Sequence, residues 1–218
     1  MSVKIVGITR PIGGEFDGTN ALDLAAYCAR VSNPSNQANF DTAEKLLKYC
    51  VDNKHWSPFE IINIVVEINT TRDIARQILR HRSFSFQEFS QRYADPSQLG
   101  FTIREARLQD TKNRQNSIET DDDKLKHTWE VKQQQIVHEA RLAYKWAIDN
   151  GVAKEQARSV LPEGCTNSRL YMNGTLRSWM HYCLLRTGNG TQKEHIEIAQ
   201  QIWDLLIEEF PFLVNIER

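Results

Sequence analysis

The sequence predicts a single mixed α/β domain, a β-sheet flanked by helices with one long helix among them. Short β-branched runs alternate along the chain with stretches of helical periodicity. Residues 124–150 form one unbroken amphipathic stretch closed by Gly151. No internal repeat and no linker-like composition divides residues 1–218, a length that one domain can fill.

Residues 3–9 alternate as a first strand, and residues 20–30 place Leu22, Leu24, Ala25 and Cys28 at helical spacing. Asp41 and Glu44 stand in capping-box positions for a helix to about Val51, with Leu46, Leu47 and Cys50 on one face. The β-branched run 59–68 is the strongest strand signal. Thr70, with Asp73, caps a short helix to about Arg80 whose apolar face is Ile74, Ala75, Ile78 and Leu79. Residues 83–100 read as an irregular loop, 101–108 as a strand and the polar 111–123 as an exposed loop. The long helix ends at Gly151 in the C′ position. A shorter helix over 153–161 is stopped by Pro162, and residues 165–172 read as a strand. Helices follow over 174–185 and from a Thr191/Glu194 cap to a stop before Pro211.

Composition narrows the function classes. Lys+Arg at 27 balance Asp+Glu at 28, so net charge gives no basis for a nucleic-acid coat or a membrane-surface binder. Any anion site must be a local arginine cluster. The four cysteines are far apart without a C-x-x-C pair, so neither structural zinc nor a disulfide framework is expected, and no metal site is assigned. The start is too short and too alternating for a signal peptide, and no apolar run is long enough to span a bilayer. A cytoplasmic location is expected. Neither G-x-G-x-x-G nor G-x-x-x-x-G-K occurs, so a nucleotide would be held by another kind of pocket.

The chemistry concentrates in residues 77–93, from Gln77 through Arg80-His81-Arg82 and Gln87-Glu88-Phe89-Ser90-Gln91-Arg92 to Tyr93. On a helical wheel Arg82 falls on the apolar face, which is costly unless it is paired or the helix has ended. A helix C-terminus attracts cations without any function. That does not account for the Ser, Gln, Glu, Ser and Arg that follow, a set of donors and acceptors able to read phosphates and base edges. Ser90 has no base placed beside it by sequence and is assigned to binding. Cys165 and Cys183 read as structural thiols, His127 and His138 as surface positions, and Trp129, Trp146, Trp179 and Trp203 as helix packing.

Arg80-His81-Arg82, seven residues, then Ser90 resembles the signature of the flavin-dependent thymidylate synthases. Further segments match in the family's order: Ala29-Arg30-Val31-Ser32, His55 to Glu60, Gln156 to Pro162, and Leu176-Arg177-Ser178 with Arg186 and Gln192-Lys193-Glu194. The resemblance covers about residues 29–200. It implies a homotetramer with shared sites that methylates dUMP to dTMP with FAD, NADPH and 5,10-methylenetetrahydrofolate. Carried over by position, the flavin site would comprise Ser32, His55, Ser57, Glu60, Arg80, His81, Arg82, Gln87, Glu88, Arg177 and His181. The dUMP site would comprise Gln77, Arg80, Glu88, Phe89, Ser90, Gln91, Arg92, Arg158 and Arg186, with Arg158 reaching dUMP on a neighbouring chain. Arg186 would be the catalytic residue, polarising the uracil; as a cation near a helix end it also has a purely local explanation. The chain departs from the family pattern at Gln87 (usually Asn), Ile61 (often His), Thr175 (often Asn) and Gly190 (many members have His).

Two other classes stay open at this stage. A single-stranded nucleic-acid-binding module would use Arg76, Arg80, Arg82 and Arg92 on phosphates and Phe84, Phe86 and Phe89 for stacking. Near-neutral charge and the acidic Glu88 and Asp95 count against it. The other is a structural helical oligomer without chemistry.

Overall fold

The computed structural model describes residues 1–188 and 190–216. Its strands are β1 (Ser2–Ile8), β2 (Asn63–Thr71), β3 (Ser85–Glu88), β4 (Arg107–Gln109), β5 (Ser117–Glu119) and β6 (Asn167–Thr175). Its helices are α1 (Ala21–Ala29), α2 (Ala43–Asp52), α3 (Arg72–Ile78), α4 (Asp123–Asp149), α5 (Lys154–Ala157), α6 (Leu176–Arg186) and α7 (Lys193–Glu209). The main sheet runs β1-β2-β6-β3 with every neighbouring pair antiparallel, and β4 pairs with β5 as a separate ribbon.

Strand alternation decides which face is covered. The register sets Ile5, Val66, Met172 and Phe86 in one row across the sheet. That row packs with Ile64, Ile68 and Leu170 against Ala25, Leu47, Trp179, Tyr182, Ile198, Ile202 and Leu206 of the helices. Each large apolar side chain buried in this way contributes about 1.5–3 kcal/mol over an exposed one. The adjacent row, Lys4, Glu67, Tyr171 and Gln87, lies on the other face, where the Tyr171 hydroxyl donates to Glu67 at 2.8 Å. Trp179 satisfies its indole N–H on the Ile64 carbonyl at 3.1 Å.

Both central strands pass into helices without a loop. Thr71 ends β2 and is the N-cap of α3, and Thr175 ends β6 and caps α6, accepting from the Ser178 N–H at 3.2 Å. The two strands are antiparallel, with Thr71 opposite Asn167 and Asn63 opposite Thr175, so the helices leave from opposite ends.

Several expectations need correction. The Asp41/Glu44 capping box does not form: residues Phe40–Thr42 make a 3-10 turn, because Arg30 draws in the Asn39 carbonyl and the Thr42 hydroxyl. A capping box occurs instead at Asn20 and Asp23 on α1. The strand expected at 59–68 begins only at Asn63, after the 3-10 turn Ser57–Glu60, and continues to Thr71, so Thr71 rather than Thr70 takes the N-cap position of α3, its hydroxyl donating to the Asp73 carboxylate instead of accepting from the helix backbone. The loop over 83–100 contains β3, a strand that exists through its pairing with β6. The strand expected at 101–108 shrinks to an isolated Phe101–Thr166 bridge and β4, because Gln133 of α4 claims both backbone groups of Arg104, at 2.9 and 2.8 Å. The loop over 111–123 contains β5. The strand placed at 165–172 runs Asn167–Thr175, and the helix after it starts at Leu176. Gln192, not Thr191, is the N-cap of α7, without a side-chain cap bond, since arginines hold Glu194 elsewhere.

The long helix ends as expected, at Asn150 with Gly151 at φ 78°. It docks through one seam, Gln133, Val137, Ala140, Tyr144 and Ala147. Trp129 stands one turn before Gln133 on the same stripe yet is 43% exposed, and Trp146 lies off it and is 65% exposed, so of the four tryptophans expected to pack helices only Trp179 and Trp203 are buried. No described helix is long and apolar enough to cross a membrane.

Gly174 is required by a close approach. The Phe84 ring lies over it, and a Cβ there would overlap the ring. Phe84 cannot easily retreat, being edge-on to Trp179 at 4.7 Å between centroids. Gly174→Ala is expected to lower the unfolding free energy by about 1–3 kcal/mol in urea titrations, and adding Phe84→Leu should recover part of that loss.

Candidate active site at two converging helix ends

The C-terminal ends of α3 and α6 come together. Arg186, the last residue of α6, donates through Nε to Nε2 of His81, just past α3, at 2.8 Å. Burial, then the charges of Arg186 and His181, lower the His81 pKa to about 4. The ring is therefore neutral near pH 7, with Nε2 as acceptor and the proton on Nδ1. Arg186 is half-buried, and no carboxylate among the described residues pairs with it. A partly desolvated guanidinium without a counter-ion leaves positive potential uncompensated.

Behind this pair runs a buried polar chain. The Tyr182 hydroxyl meets Nε2 of His195 at 2.9 Å, and Nδ1 of His195 meets Oε1 of Gln77 at 3.4 Å. Nε2 of Gln77 donates to Gln192 at 2.8 Å, and Gln192 donates to Glu194 at 2.8 Å. Glu194 is ion-paired to Arg107 and, at 3.3 Å, to Arg104. Arg104 continues to the Thr71 hydroxyl at 2.5 Å and to Asp73 at 2.8 Å. Burial, followed by the Arg186 and His81 charges, lowers the His195 pKa to about 3. Burial alone would raise Glu194, but the Arg107 hydrogen bond, with Arg104 and Gln192, takes it below the usual carboxylate range.

A cleft of about 470 Å³ opens beside α6, lined by Trp56, Glu60, Ser83, Arg177, Ser178, Met180, His181 and Leu184. Glu60 accepts from the Thr175 hydroxyl and from Arg177, each at 2.7 Å. The Thr175 bond, with Arg177, holds the carboxyl below its ordinary range against a smaller opposing effect of burial. Hollows of about 630 and 570 Å³ along residues 104–117 and beside α4 gather none of the residues assigned from sequence.

The remaining assigned residues fall into two groups. Glu88 accepts from Ser168 at 2.7 Å and is ion-paired to the buried Arg72 at 3.5 Å. Nearby in sequence, Gln91 is 3% exposed with an Nε2 lacking a partner, Ser90 accepts from the Arg92 N–H, and the Phe89 N–H bonds to the Arg169 carbonyl. Arg92 approaches the Glu155 carboxylate at 3.7 Å, and Arg158 donates to the Glu155 carbonyl at 3.3 Å. Both arginines therefore contact Glu155 of the same chain. The other group stands exposed: Ser32, His55, Ser57, Arg80, Arg82 and Gln87. Arg80 and Arg82 have no ion pair to another described residue. Arg82 escapes the apolar face because α3 ends at Ile78.

The structure answers the stacking alternative. Phe84 and Phe86 pack against the core and Arg76 is ion-paired to Glu163 at 3.0 Å, so two rings and one cation of that surface are already engaged. Two of the four departures also find local reasons. Thr175 carries the Glu60 contact, and Gly190 sits at φ 87°, where a side chain is strained. Sequence reading missed Tyr182, His195, Arg72 and Ser168, and named Gln192 only within a matching segment, without a role. For His195 the signal was there: it precedes Ile198, Ala199, Ile202 and Trp203 at helical spacing, a polar group on a buried stripe.

Comparison with known proteins follows the same outline. The family model for thymidylate synthase complementing protein matches residues 16–212. A probable flavin-dependent thymidylate synthase of Paramecium bursaria Chlorella virus 1 is 48% identical over 99% of this chain and 98% of its own length. A flavin-dependent thymidylate synthase of Synechocystis is 46% identical over 97% and 96%. Among solved structures, the UMP/dUMP methylase PolB from Streptomyces cacaoi, bound with 5-Br dUMP, superposes with a TM-score of 0.75 at 25% identity over 97% of this chain and 92% of that one. By the extent and identity of these matches, the chain belongs to the flavin-dependent thymidylate synthase family of enzymes.

Proposed function

We propose that residues 1–218 act as one synthase domain that methylates dUMP to dTMP, with 5,10-methylenetetrahydrofolate as carbon donor and FAD reduced by NADPH. The observation that carries this reading is the half-buried Arg186, fixed by a neutral histidine and lacking a counter-ion. Such a cation suits negative charge that develops on a bound ring during reaction, and its planar fork stabilises that charge without moving a proton. The methylase relative bound to a dUMP analogue supports the choice of nucleotide.

Bound FAD would supply the redox chemistry. The donors present fit it: Arg177, His181 and Ser83 line the cleft with Glu60, and the unpaired Arg80 and Arg82 suit a diphosphate. His81 orients Arg186, while Ser32, His55, Ser57, Gln87 and Glu88 complete the flavin set implied by the family. Gln77, Arg80, Glu88, Phe89, Ser90, Gln91, Arg92 and Arg158 would hold dUMP beside Arg186. Exposed Trp129, Ile136, Leu142 and Trp146 on α4 support assembly with further copies, in keeping with a homotetramer whose sites are shared.

Arg186→Ala is expected to lower kcat for methyl transfer on the order of 100-fold, with a smaller change in dUMP affinity. Arg186→Lys should rescue little. Reduction of the flavin by NADPH, followed by its absorbance, should survive. Methyl transfer within about threefold of wild type at saturating dUMP would remove the catalytic role.

Subunit mixing tests the shared site. Arg158→Ala and Arg186→Ala chains, each inactive alone, should regain activity after exchange, because some mixed sites hold both arginines. No recovery after exchange is verified would place the site within one chain.

Acid titration tests the neutral histidines. The unfolded chain binds protons at His81 and His195 below about pH 6.5, whereas the folded chain binds them only near about 4 and about 3. Stability should therefore fall as pH drops from 6.5 and stop responding to these groups below about 3. Urea midpoints should show a shallower acid slope in His195→Gln than in wild type.

A further inference from the structure

The carboxylate at the end of the buried chain fixes the direction of every bond in it. Glu194, held ionised by two arginines, can only accept. Gln192 must therefore present its NH2 to Glu194 and its carbonyl to Gln77. Gln77 in turn gives its NH2 to Gln192 and its carbonyl to His195. Nδ1 of His195 must carry the proton, leaving Nε2 to accept from the Tyr182 hydroxyl. With His195 fully buried, no solvent contact offers it an alternative.

We propose that Glu194 is a positioning residue for the nucleotide: its acceptor-only carboxylate sets, through Gln192, the amide orientation of Gln77 and the tautomer of His195. The inference rests on Gln77 contacting dUMP, as read above. An amide free to turn would present a donor where the substrate needs an acceptor in part of the population. The pinned amide presents one face only, and affinity gains by that preorganisation. Glu194 does not touch the substrate in this scheme.

The test uses the full-length protein with ¹⁵N-labelled histidine, His195 being assigned among the six histidines by His195→Gln. Wild type should show a protonated Nδ1 and an unprotonated Nε2 on His195. Gln192→Leu cuts the chain without touching the arginines around Glu194. It should release the tautomer and raise the dUMP dissociation constant about tenfold, with kcat at saturating dUMP held within about twofold. Glu194→Gln, which keeps the size of the side chain but can turn its amide, should release the tautomer and weaken dUMP binding in the same way, so a folding defect in one variant does not remove the test. A His195 protonated on Nε2 in wild type, or an unchanged tautomer in Gln192→Leu, overturns the proposal. A released tautomer with unchanged dUMP affinity overturns the positioning role. Failure of wild type to bind dUMP at all would instead sink the reading of the site.

Discussion

A buried carboxylate, Glu194, governs how the helices of this protein meet its sheet. Burying one ionised carboxyl is costly unless it is paired and hydrogen-bonded. Here Arg104 and Arg107 both answer it. Arg104 also grips Thr71 and Asp73 at the start of α3, while its backbone is bonded at both ends to Gln133 of α4. One charge thus joins α7, α3, α4 and the segment leading to β4. Removing it would leave Arg104 to Asp73 and Arg107 to the half-exposed Glu105, two desolvated cations each short of a carboxylate, so breaking the interaction carries a penalty beyond the loss of the pairing itself.

The same economy of charge shapes the other end of the chain. Glu194 has two guanidinium partners, and Arg186 has no carboxylate partner among the described residues. Between them lie only neutral groups: His81, Tyr182, His195, Gln77 and Gln192. Glu194 is occupied by Gln192, Arg104 and Arg107, and the two ends meet through the edge-on ring pair of His81 and Tyr182 at 4.8 Å between centroids, so the acid does not pair with Arg186. Two helix C-termini favour the cation there, and the proposed substrate supplies the missing negative charge only as it reacts.

What could be read in advance follows from how local each signal is. The long helix and its Gly151 terminus were legible because period and cap lie within the same stretch of chain. Residues Ser85–Glu88 were not, since four residues are too few to show a period and their strand exists by pairing with β6, far away in sequence. Thr191 and Glu194 mimicked a capping box, and only the positions of Arg104 and Arg107 show that the carboxylate is engaged elsewhere. Within the site, Arg186, His81 and Gln77 were named from motif resemblance. Their spatial partners Tyr182, His195 and Gln192 are linked by contacts between residues up to 118 positions apart, which no window of sequence can reveal.

The loop-free joints at Thr71 and Thr175 bear on how such a chain can change its length. Each helix inherits its angular phase from the strand before it. At 3.6 residues per turn, one residue inserted at either joint would rotate the following helix by about 100°. Arg186 would then swing away from His81, or the Gln77 amide away from Gln192, although no side chain had been altered. Insertions and deletions in descendants of this sequence are thereby disfavoured at two short junctions, and the largely exposed segment 10–19, remote from both, has more room to lengthen.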